Sequence, residues 1–156
     1  MSVIKYFCIA IITLMSVTSP AQNIQISTEQ DLHFGEFHMS GNTGGTVMVS
    51  DSGAWNSTGG IHLLNPTHQT AVFLLSTDSP TPVEVQVETP SSSLSNADGK
   101  QMTLRLNSQG ITSHIISQGN PKNIALGGTL SMDAEIGISP GAYTGSVLLR
   151  VMIYNE

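Results

Sequence analysis

Past its first twenty or so residues, the chain repeats its apolar side chains at every second position. Val83, Val85 and Val87 alternate with Glu84, Gln86 and Glu88; Met102, Leu104 and Leu106 alternate with Thr103, Arg105 and Asn107. Leu130, Met132, Ala134, Ile136 and Ile138 continue the pattern against Ser131, Asp133, Glu135 and Gly137. Strand side chains point to opposite faces in turn, so a period of two builds strands with one face in a core and one in water. Two runs are apolar without alternation, Ala71 to Leu75 and Val147 to Tyr154, and read as central strands buried on both faces. No window of ten or more residues in this part of the chain carries a period of 3.6. Turn formers separate the runs: Gly44-Gly45, Gly59-Gly60, Asp98-Gly99, Gly119-Asn120-Pro121, Gly127-Gly128 and Pro140-Gly141. Asp98-Gly99 is a hairpin signal between the Val83 and Met102 strands, and Ser91 to Ser93 reads as a polar loop. The expected fold is all-β: an immunoglobulin-like β-sandwich of about nine short, mostly antiparallel strands with no substantial helix.

The first residues obey a different rule. Lys5 precedes an apolar run from Tyr6 to Val17, and Ser19-Pro20-Ala21 places small residues at −3 and −1 of a cut before Gln22. That layout predicts a signal peptide at residues 1–21, its apolar core well short of the ~20 residues that span a bilayer. A lipid anchor fits less well, because Cys8 opens the apolar run instead of following it. Residues 22–156 then form a single sandwich domain without an integral membrane segment, placed in the periplasm, at the cell surface or outside the cell. Removing the leader takes away the only cysteine, so no disulfide or thiolate ligand remains. Lys5 leaves too, and four basic residues face eleven acidic ones, a net charge of −7 with histidines neutral. Such a surface lacks the cations that supply most nucleic-acid affinity, and it is no polybasic membrane binder.

Candidate chemistry is sparse. The histidines are His33, His38, His62, His68 and His114. Glu36 and His38 would share one strand face with His33 on the other, a thin basis for a metal site without thiolates. No Gly-x-Ser-x-Gly elbow, EF-hand loop or phosphate-binding glycine loop occurs, so the expectation is no enzyme and no cofactor. Asn56-Ser57-Thr58 matches an N-glycosylation acceptor. Trp55, in a segment between Gly53 and Gly59 read as a loop, either stacks a ligand together with Asn56 or covers the end of the core.

The two ends of the domain carry the remaining signal. Ile24 and Ile26 alternate just behind the cut, while Val147, Leu149, Val151 and Ile153 lie in the last run. Terminal strands are natural edges whose free N–H and C=O groups can pair with another chain. The order Asp31-Leu32-His33-Phe34-Gly35-Glu36-Phe37, Gly44 to Ser50, Thr58 to Leu63, Ala71-Val72-Phe73, Leu126 to Leu130 and Pro140 to Gly145 resembles the secreted bacterial family catalogued as domain of unknown function 4402. The ending, Pro140-Gly141-Ala142-Tyr143-Thr144-Gly145 before an alternating strand, is similar to subunits of chaperone–usher pili, without their cysteine pair and with a short segment ahead of Leu32. This resemblance implies an incomplete sandwich completed by a strand from another chain. The expected function is a non-catalytic structural or adhesive surface protein, a fimbrial-like subunit pairing with itself or other surface subunits by strand addition. The alternative is a monomeric extracellular ligand-binding module, for instance for a glycan.

Overall fold

The computed structural model describes residues 23–41, 43–89, 92–107, 111–133 and 140–154. The leader, the cut at Gln22 and the expected strand positions Ala134, Ile136 and Ile138 lie outside the described residues. Within them the chain is all-β, with thirteen strands and no helix. They are β1 (Ile24–Gln30), β2 (Glu36–Met39), β3 (Gly45–Val49), β4 (Trp55–Gly59), β5 (Ile61–Asn65), β6 (Ala71–Thr77) and β7 (Val83–Glu88). β8 (Ser92–Ser95), β9 (Gln101–Leu106), β10 (Ile111–Ile116), β11 (Lys122–Leu126), β12 (Gly128–Met132) and β13 (Arg150–Tyr154) follow.

The strands pair antiparallel in four sheets, ordered β1-β6-β11, β10-β7-β13, β4-β3-β12-β9-β8 and β2-β5. They enclose two adjoining cores. One gathers Val47, Val49, Met102, Leu104, Leu106, Leu130 and Met132 from the five-stranded sheet, with Phe34 and Ile61. The other gathers Ala71, Phe73 and Leu75 of β6, the three valines of β7, and Ile116, Ile124 and Leu126. Leu32 and Val147 pack against both cores and join them. The inward residues of β7, β9 and β12 are those chosen by the alternation. Each fully buried Val or Leu contributes about 1.5–3 kcal/mol.

Strand number exceeds the expected nine or so because polar segments also pair. Ser92 and Ser93, expected in the polar loop Ser91 to Ser93, belong to β8 because β9 offers that strand a partner from Gln101 to Leu104, and only Leu94 gives it an apolar anchor. The Asp98-Gly99 turn therefore closes a β8–β9 hairpin, with Asn96 Oδ1 accepting from the backbone N–H groups of Asp98 and Lys100. The glycine pairs do more than turn the chain. Gly59 has φ +68°, and a Cβ there would stand 2.3 Å from the Gly44 carbonyl oxygen, so only glycine lets β3 and β4 close at this end.

The last run is corrected most. Val147 to Leu149 are not in a strand, and among the described residues β13 is an edge strand paired with β7 alone. It is not a central strand buried on both faces. Arg150 sits mid-run and reaches Glu88 at 2.8 Å in water. In this register Arg150, Met152 and Tyr154 share the outer face with Glu88, Gln86 and Glu84. Only the alternate residues Val151 and Ile153 share the valine face of β7. Ala71 to Leu75, by contrast, lies in a central strand, between β1 and β11.

Candidate functional site

A cleft of about 1040 Å³ opens between β2 and residues 140–147. β2 is short because Gly35 precedes it at φ +73° and Gly41 follows at φ +69°. It turns Phe37 and Met39 inward and Glu36 and His38 outward, and pairs with β5 alone. Among the described residues its other edge has no strand beside it. The floor is the buried row of Leu104, Leu130, Met102 and Met132, so the cleft narrows onto the first core.

The opposite wall is held to β8. Ser95 and Thr144 exchange both backbone hydrogen bonds, at 2.8 and 2.9 Å, and Ser92 Oγ donates to the Ser146 carbonyl at 2.6 Å. A Cβ at Gly145 would meet the Ser93 carbonyl oxygen at 2.4 Å, so this glycine lets the wall lie flat on the strand. Tyr143 and Val147 then lean toward the first core from this side. The near rim is fixed by a bridge in which His33 and Gln69 exchange backbone bonds at 2.9 and 2.8 Å, while Gln69 Nε2 donates to the Asp31 carbonyl. His33 Nδ1 accepts from the Gly35 N–H at 3.0 Å, which assigns the neutral ring its Nε2–H tautomer. Asp31, Glu36, His33 and His38 line the mouth, and no lysine or arginine does among the described residues.

Of the residues singled out at the termini, only Val147 lines this cleft. Ile24, on β1, and Leu149 and Val151 pack against the second core. Ile26 on β1 is 47% exposed and Ile153 on β13 is 36% exposed, although each is paired on the core-facing side with Leu75 and Val85 respectively. Trp55 and Asn56 lie on β4 and not in a loop, because β3 pairs with them through Val49 and Met48. The indole N–H donates to the Phe34 carbonyl at 2.9 Å, and the ring stacks on His68 with centroids 4.7 Å apart. Trp55 therefore covers the end of the first core. Asn56 is exposed.

The histidines do not converge with carboxylates. His38 and His62 stack across β2 and β5 at 4.9 Å, with His62 Nε2 3.0 Å from Ser40 Oγ. Among the described residues no group of three or more His, Cys, Asp or Glu could hold a metal ion. His114 lies apart on β10, where burial and then the Lys122 charge hold its imidazole below 6.5.

Sequence reasoning missed the cleft walls. Phe37 and Met39 do alternate with Glu36 and His38, which signals a strand, but nothing local says that the strand lacks a second neighbour. Among the described residues no helix is long and apolar enough to cross a membrane. The family model for Domain of unknown function (DUF4402) matches residues 24–152. No curated protein matches the chain.

Proposed function

The chain belongs to the family described as domain of unknown function 4402, and from that premise we propose that it is a non-catalytic exported protein, a structural or adhesive fimbrial-like subunit that assembles through strand edges. The observation that supports this reading is the cleft. Among the described residues it has a strand edge without a neighbour on one side, apolar side chains on both walls and an apolar floor. A strand entering it gains main-chain hydrogen bonds from β2 and places alternate side chains against Phe37, Met39, Tyr143 and Val147, which is the physics of strand addition. β2 spans four residues, so the free edge is about 13 Å long at ~3.3 Å per residue.

The glycan-binding alternative rested on Trp55, whose N–H and one ring face are engaged by Phe34 and His68.

The test is assembly with the mouth plugged. Ala142 is exposed and lines the cleft, so Ala142→Trp places a bulky ring in the path of an entering strand. The full chain, expressed with its own leader, is cross-linked in the producing cell and sized by chromatography with light scattering. Wild type is expected in complexes above monomer mass, and the variant as monomer with an unchanged circular dichroism spectrum. Equal complexes in both would reject assembly through this cleft.

A further inference from the structure

The charges around the mouth bear on which strand the cleft receives. Asp31 and Glu36 are exposed at its rim, and no cation lines it among the described residues. The chain as a whole carries −6 at pH 7. A second copy therefore approaches against like charge. Its terminal strands are also poorly suited. β1 offers only Ile24 and Ile26, carries Glu29, and is already paired with β6 from Ile24 to Gln30. β13 is paired with β7, and its Arg150 guanidinium is engaged by Glu88.

Building on the strand-addition reading above, we propose that the cleft receives an extended segment of a different protein, apolar at alternate positions and basic at its flanks. About four to six residues cover the free β2 edge at strand spacing. The apolar side chains of the segment turn toward Phe37, Met39 and Leu94, and its backbone pairs with β2. Its basic flanks meet Asp31 and Glu36. Rim charges of this kind set association rate and partner choice more than final affinity, and salt screens them within about 8–10 Å. The acidic mouth thus selects against copies of the chain itself and for a partner of opposite charge.

Three labelled peptides separate the possibilities by fluorescence anisotropy on the full-length protein: KVTVTVK, its acidic counterpart EVTVTVE, and NIQISTEQ, which copies residues 23–30. KVTVTVK is expected to bind on the order of tenfold tighter than either of the others at low salt, the gap closing as salt rises. The double variant Asp31→Asn with Glu36→Gln, both at exposed positions, is expected to abolish the preference for lysine over glutamate while KVTVTVK still binds. Equal or tighter binding of EVTVTVE or NIQISTEQ overturns the basic-partner proposal and leaves strand addition standing. Failure of all three peptides to bind removes strand addition into this cleft, and with it the reading on which the proposal rests.

Discussion

Trp55 shows how a single side chain is claimed by its surroundings. Its N–H is the hydrogen-bond donor to Phe34, whose carbonyl would otherwise be left without that partner at the edge of the first core. Trp55→Phe keeps most of the ring but removes the donor, and is expected to cost about 1–3 kcal/mol in urea denaturation. His114 gives the pH dependence. Burial first, and the Lys122 charge second, favour its neutral form in the folded protein. As pH falls below 6.5 the unfolded chain takes up a proton before the native one does, so stability is lost between that value and the lower native one. The urea midpoint of wild type is expected to fall more steeply between pH 7.5 and 5.5 than that of His114→Gln. Equal slopes would show that this imidazole is not a source of the acid sensitivity.

At the scale of elements, glycines are the sharpest test because two of them share a backbone conformation and differ in their neighbours. Gly99 has φ +75° and open space beyond its Cα, whereas Gly59, at φ +68°, faces the Gly44 carbonyl oxygen. Gly99→Ala is expected to cost about 1–2 kcal/mol from the left-handed conformation alone. Gly59→Ala costs more, because β3 and β4 must also part; equal losses would show that the close approach adds nothing. The same comparison explains what was legible. Strands with strong alternation, β7, β9 and β12, could be read directly because their own side chains dictate which face is buried. β8 could not, since serines acquire strand geometry only from the neighbouring β9. The terminal run misled in the opposite direction: its composition calls for burial, but β7 has just one side to offer it and Arg150 needs water. The cleft was the least legible feature. Its walls come from segments about a hundred residues apart, and openness is a property of their arrangement, which no local pattern records.

Across the whole molecule, two cores share one chain, and the question is whether they unfold as one. Their direct links are Leu32, at the start of the cleft wall, and Val147, at its end. The remaining residues of each cluster pack against one core alone. Cooperative unfolding requires that losing one core expose enough apolar surface to destabilise the other, and these two side chains provide that coupling. The single tryptophan packs on the first core only, so its fluorescence reports on that half, while hydrogen exchange at Val85 and Leu75 reports on the second. In wild type the two signals are expected to give one urea midpoint. Truncating both links, Leu32→Ala with Val147→Ala, removes contacts to both halves at once. The midpoints are then expected to separate, whereas Leu104→Ala, confined to the first core, lowers stability by about 2–5 kcal/mol without splitting the transition. A double variant that still melts in one step would place the coupling in the strand connections between the sheets. If the split is found, the residues that line the proposed binding cleft are also those that join the two halves, and filling the cleft with a partner strand would raise the stability of both halves together.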